Sequence, residues 1–221
     1  MTAILGYIAD DIESNPLSMF LASDGLVVWH NEQGDTPQND YKKVYRFKNF
    51  LISFNGEVQF YHEFLKSIKE ITSEISCIWE LQEAVNNIFQ FDKFGNNLGG
   101  YSKARYSNII ILDIENRILA HHYAGNVSSD YDFPFNFKPL ENNTLYHFGS
   151  IVSFINHVGN KNDAFFVESY DYLEQTLTKQ IDSWEVRFKE VNSMVKGIGS
   201  LNSYYILEKN NKEHSSNIDN L

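Results

Sequence analysis

The spacing of apolar residues changes several times along the chain, and each change marks an element. Ala3-Ile4-Leu5-Gly6-Tyr7-Ile8-Ala9 is an apolar run of strand length, and the polar stretch Asp10 to Pro16 after it reads as a hairpin connection. Met19–Ala22 and Leu26–Trp29 are apolar runs interrupted by Ser23-Asp24-Gly25, read either as one strand with a bulge or as two short strands. Asn31 to Asp40 is polar and reads as a loop. Lys42–Phe47 and Phe50–Phe54 then form two strands around a tight Lys48-Asn49 turn, the second closed by Asn55-Gly56.

At this point the period lengthens. Val58, Tyr61, Phe64, Leu65, Ile68 and Ile71 fall at helical spacing and predict an amphipathic helix over 57–72. Ile78, Leu81, Ala84, Val85, Ile88 and Phe89 predict a second one. The Gly- and Asn-rich stretch 91–103 is a loop, and Tyr106–Asp113 and Arg117–Tyr123 are strands that turn at Glu115-Asn116. Asn126–Asn142 is irregular, with Pro134 and Pro139, and Leu145–Phe148 is a short strand ending at Gly149-Ser150. Helical spacing returns at Ile151, Phe154, Ile155 and Val158. It continues from Phe166 to Val195 as one long helix or two in series, stopping at Gly197. Tyr204–Leu207 is a last strand, and 209–221 is polar and reads as a flexible tail. Strand runs separated by helix pairs suit two stacked sheets covered by outer helices, a four-layer αββα sandwich of the α+β class forming a single domain over residues 1–208.

Composition narrows the partners. The net charge of −11 is spread over the chain, which argues against a nucleic-acid partner and against an anionic membrane surface. The single cysteine, Cys77, excludes an internal disulfide and suits a reducing, cytoplasmic setting; beside Ile78 it reads as a small core residue. The start lacks a basic n-region and no apolar run spans a bilayer, so neither a secretory signal nor a membrane segment is expected. His121 and His122 alternate across a strand and cannot both bind one metal. Leu98-Gly99-Gly100-Tyr101 lacks the context of a phosphate loop.

The candidate chemistry begins at Thr2. With Met1 removed, its hydroxyl and free α-amine place nucleophile and base in one residue. Such an amine titrates near ~8 unless a neighbouring cation pushes it down. It therefore needs a lysine held by a carboxylate, a backbone N–H for the developing oxyanion, and a hydroxyl to relay the proton. Asp24, Lys43, Gly56 and Ser150 sit at strand ends or edges and supply these types. Each also has an ordinary reading: a turn, a solvated strand residue, a plain connection and a helix N-cap.

Taken in order, Thr2, Leu21-Ala22-Ser23-Asp24-Gly25, Lys42-Lys43-Val44, Ile52-Ser53-Phe54-Asn55-Gly56 and Phe148-Gly149-Ser150 resemble the proteasome β-subunit family and its bacterial peptidase relatives. These are N-terminal-nucleophile hydrolases with an αββα fold, and the similarity covers residues 2–72 and 106–208. The resemblance implies Thr2 as nucleophile with its amine as base, Lys43 tuning that amine, and Asp24 pairing with Lys43. It further implies Gly56 as oxyanion donor and Ser150 beside the amine. It implies peptide or protein substrates, no metal or organic cofactor, a homo-oligomeric ring, and service by an unfoldase ATPase. Two departures stand out: Asp10–Pro16 reads as an insertion, and Val195 occupies a position where the family often has a carboxylate, with Asp182 or Ser200 as substitutes. The alternatives are therefore a terminal-threonine amidase or transpeptidase on a specialised substrate, and a catalytically inactive structural subunit.

Overall fold

The computed structural model describes residues 3–10, 17–38, 40–89, 107–124, 135–144, 146–149 and 201–221. Thr2, Ser150, the expected helices between 151 and 197, Val195, Asp182 and Ser200 lie outside them. The chain divides into two compact units, one comprising residues 1–44 and 142–218 and the other residues 45–141 and 219–221.

The first unit is built on a five-stranded antiparallel sheet. Its strands are β1 (Ala3–Ile8), β2 (Leu17–Asp24), β10 (Tyr146–Gly149), β11 (Leu201–Glu208) and β12 (Glu213–Ser216), in the order β10-β1-β2-β11-β12. Ile4, Leu5, Tyr7 and Ile8 on β1 and Met19, Phe20, Leu21 and Ala22 on β2 are all buried. Burial on both faces explains why these strands read as unbroken apolar runs without alternation. The segment Leu17–Asn31 resolves into two strands, because β2 ends at Asp24 and β3 (Val27–Asn31) pairs instead with β4 (Gly34–Gln38) in a two-stranded ribbon. The expected loop over Asn31–Asp40 is thus largely the second half of a hairpin. Residues 34–37 are exposed, so no apolar period marks them, and among the described residues Pro37 sits on a strand with no further neighbour.

The second unit holds a six-stranded sheet and the two described helices. Its strands are β5 (Val44–Phe47), β6 (Phe50–Asn55), β7 (Ser107–Asp113), β8 (Ile118–Ala124), β9 (Lys138–Pro139) and β13 (Asp219–Asn220), in the order β13-β5-β6-β7-β8-β9. The β5–β6 turn places Lys48 at a φ of 52°, within the short Lys48-Asn49 connection read from the sequence. Helix α1 (Val58–Lys69) buries Phe60, Tyr61, Phe64, Leu65 and Ile68, and Lys66 and Lys69 in its last turn complement the helix dipole. The Tyr61 hydroxyl donates to the Ile52 carbonyl at 3.2 Å and its ring stacks on Phe54, fixing the helix to β6.

Helix α2 (Ile78–Ile88) has Cys77 as its N-cap. Glu80 reaches back to accept from the Ser76 N–H at 2.7 Å and the Ser76 hydroxyl at 2.8 Å, and these bonds hold its carboxyl below the usual range. Its polar face has a structural task. Asn86 accepts from the Phe135 N–H and Gln82 from the Phe137 N–H, each at 2.7 Å, so the helix grips the strand-less segment before β9. That grip seats Phe135 and Phe137 beside Phe64. His122, 2 % exposed, packs against the same two rings while its Nδ1 accepts from the Asn136 N–H.

Residues 209–221 differ from the flexible tail expected of so polar a sequence. β12 pairs antiparallel with β11, and β13 pairs parallel with β5. Edge pairing is carried by main-chain hydrogen bonds, which a polar side-chain pattern neither reveals nor prevents.

Candidate active site

The sequence places two opposite charges in polar local settings, Asp24 between Ser23 and Gly25 and Lys43 after Lys42, yet the fold buries both. Asp24 ends β2 and is 0 % exposed, and Lys43, just before β5, is 1 % exposed. Lys43 Nζ donates to Asp24 Oδ1 at 2.9 Å and to the Leu26 carbonyl at 2.6 Å. A charge so far from water persists only when paired and hydrogen-bonded, and here both conditions hold. Burial pushes the Lys43 ammonium below its ordinary value, while the charge of Asp24 and its hydrogen bond oppose that shift.

Main-chain contacts fix where this pair sits. The strand break at Gly25-Leu26 turns the Leu26 carbonyl onto the ammonium, and the Tyr41 N–H donates to the Gly25 carbonyl at 3.0 Å. Beside Asp24, Ser23 is fully buried and its hydroxyl donates to the Asp24 carbonyl at 3.0 Å. Ser203 on β11, also fully buried and opposite Ser23, accepts from the Lys43 N–H at 3.4 Å. Between them the ladder slips: Leu201 opposes Asp24 and Ser203 opposes Ser23, so Asn202 is an extra residue, a β-bulge next to the charged pair.

The start of β1 lies along this end of β2. Ile4 pairs with Ser23, one residue from Asp24, and Ala3 pairs with Gly149 on β10. Ala3, where β1 begins, and Gly149, where β10 ends, thus lie at the end of the sheet where β2 presents Asp24. Thr2 and Ser150 themselves fall outside the described residues.

Gly56 belongs to the second unit. It directly follows β6 with a φ of 106°, and a Cβ built there would lie 2.5–2.9 Å from atoms of Ser107, its backbone Cα included. Two independent requirements, a left-handed backbone and a close approach, therefore demand glycine. The Ser107 hydroxyl that crowds this position accepts from the Glu57 N–H at 3.0 Å, supplying a partner at the start of α1 where Glu57 provides no side-chain cap.

Of the five residues singled out from the sequence, the fold brings Asp24 and Lys43 into direct contact and gives Gly56 the backbone geometry of an obligatory glycine. Ser203, Asn202 and the Leu26 carbonyl, which were not singled out, also help to hold the segment that carries Lys43. Ser203 and Asn202 precede the apolar run 204–207 that marks the last strand, and nothing in the local pattern extends the strand to include them.

The fold these strands and helices form has counterparts among solved structures. No protein-family model matches the chain, and no curated protein matches it. Among solved structures the chain is similar to Anbu from Hyphomicrobium sp. strain MC1, as a Gly-1 mutant, with a TM-score of 0.57 and 10% identity over 98% of this chain and 88% of that one. Anbu from Yersinia bercovieri, described as an ancestral beta-subunit, gives 0.54 and 9% over 98% and 88%. BPH from Thiobacillus denitrificans, also solved in complex with epoxomicin, gives 0.53 and 11% over 93% and 97%.

Proposed function

We propose that this protein is a threonine-type peptidase or amidohydrolase whose nucleophile is Thr2, exposed by removal of Met1. The observation that carries the reading is the Asp24–Lys43 pair, buried and doubly hydrogen-bonded at the end of the sheet where β1 begins at Ala3. A buried ion pair is a poor device for stability alone, since matched apolar residues serve as well or better. A fixed ammonium is the device a terminal-amine base needs, because a nearby positive charge keeps the amine neutral near physiological pH.

In this reading Thr2 Oγ attacks the amide carbonyl, and the α-amine takes the hydroxyl proton. The Gly56 N–H receives the developing oxyanion. The amine then passes its proton to the leaving nitrogen, leaving an ester on Thr2. Water activated by the same amine hydrolyses that ester and restores the hydroxyl. Ser150 relays the proton beside the amine, and no metal or organic cofactor enters. The proposal includes the four-layer αββα arrangement as one domain over residues 1–208, a homo-oligomeric ring, peptide or protein substrates, and delivery of those substrates by an unfoldase ATPase in the cytoplasm. Among the described residues no helix is long and apolar enough to cross a membrane.

The test is turnover of casein and of short peptide amides by the wild type, Thr2→Ser and Thr2→Ala. Activity kept in Thr2→Ser and lost in Thr2→Ala supports the reading. Full turnover by Thr2→Ala refutes it, and no turnover by any form favours the inactive structural subunit. Turnover of short amides but not casein favours the specialised amidase.

A further inference from the structure

The C-terminal segment is tied to the chain that carries Lys43 by one bulged residue. Asn202, the extra residue in the β2–β11 ladder, donates from Nδ2 to the Tyr41 carbonyl at 2.9 Å and to the Ser203 hydroxyl at 3.4 Å. Ser203 Oγ in turn accepts from the Lys43 N–H. The other end of the Asn202 amide is held as well, its Oδ1 accepting from Asn217 Nδ2 at 2.7 Å. Asn217 follows β12 directly and has a φ of 56°, a left-handed conformation that asparagine tolerates better than most residues. A single side chain thus links the end of β12 to the main chain on either side of Lys42.

We infer that Asn202, clamped by Asn217, is a positioning residue that fixes the Lys43 main chain and through it the ammonium; its catalytic consequence rests on the terminal-threonine reading. Lysine carries its charge on a flexible four-carbon stem, so the place of Nζ is only as fixed as its Cα and the acceptors at its tip. Asp24 and Leu26 hold the tip, while Asn202, Ser203 and the Tyr41–Gly25 bond hold the base. Bulges recur where a strand must re-aim a side chain, and this one aims an amide at the lysine-bearing segment. Asn217 lies outside residues 2–72 and 106–208, over which the family resemblance runs.

The variant that isolates the clamp is Asn217→Gly. Glycine keeps the left-handed backbone and removes only the amide, and residue 217 is exposed, so the sheet retains its packing. Amide hydrogen exchange of the full chain is followed at Tyr41 and Lys43, with β2 and β11 amides away from the bulge as the internal reference. Exchange at Tyr41 and Lys43 should quicken while the reference stays unchanged. In the same preparation kcat should fall with KM unchanged, by roughly tenfold and below the ~10²-fold loss of a 1 Å misplacement. Unchanged exchange at Tyr41 and Lys43, uniform quickening across β2 and β11, or unchanged kcat in an active enzyme would each overturn the inference. If Tyr41 and Lys43 respond but the wild type hydrolyses none of the substrates above, the clamp stands and the hydrolase reading fails.

Discussion

Replacing Asp24 by Asn tests whether the charged pair behaves as a buried one. Asparagine has nearly the volume and shape of aspartate, so the change removes charge without opening a cavity. It leaves the Lys43 ammonium, 1 % exposed, with the Leu26 carbonyl and without the Asp24 charge. Breaking a buried pair on one side costs about 3–5 kcal/mol, a large share of a total stability of roughly 5–15 kcal/mol. Lys43→Met, which keeps most of the stem, strands Asp24 and should cost a similar ~3–5 kcal/mol. The double variant removes both charges of this pair. Its main penalty is the Leu26 carbonyl deprived of its donor, about 1–3 kcal/mol. The two single losses therefore should not add, and a double-mutant cycle in urea should give a coupling of at least ~3 kcal/mol. A coupling below about 1 kcal/mol, the value of a solvated surface pair, would refute the claim that these charges are desolvated.

Further outcomes follow from the same geometry. Gly56→Ala forces a side chain into a φ of 106° and against the Ser107 main chain, which should cost about 1–3 kcal/mol of backbone strain and lower Tm by several degrees in calorimetry. Adding Ser107→Gly should not restore it, because the Ser107 Cα at 2.6 Å remains; full recovery would contradict the steric account. Stability should also depend on pH through Lys43. Burial lowers its folded value from 10.5, so between that lowered value and 10.5 the unfolded chain binds more protons, and stability rises with pH across that window. Measured as wild type minus the Asp24→Asn/Lys43→Met variant, the difference should climb toward pH 10.5; a decline would contradict the assigned shift.

How much of this was legible in the sequence depends on whether burial leaves a period. α1 and α2 were marked by their apolar stripes, and β6 and β7 by runs buried along nearly their whole length. β4, β12 and β13 are polar and largely exposed strands held by main-chain bonds, so side-chain pattern carried no trace of them. The site shows the same division. Asp24 and Lys43 are 19 positions apart, and locally each suits a turn or a solvated strand. Only the ordered series of motifs singled them out, and only the β2 ending brings them to 2.9 Å. Asn202 and Asn217 were invisible for another reason. A bulge is a property of register between two strands, and neither strand alone encodes it.

The central claim is that Thr2 is acylated during turnover. The most direct measurement quenches the protein with acid while it is hydrolysing a peptide amide, digests it, and reads the mass of its N-terminal peptide. With Thr2 as nucleophile, the peptide begins at Thr2 and carries the acyl half of the substrate on that residue. A peptide that begins at Met1, or one that begins at Thr2 unmodified while the acyl group sits on another residue, would contradict it.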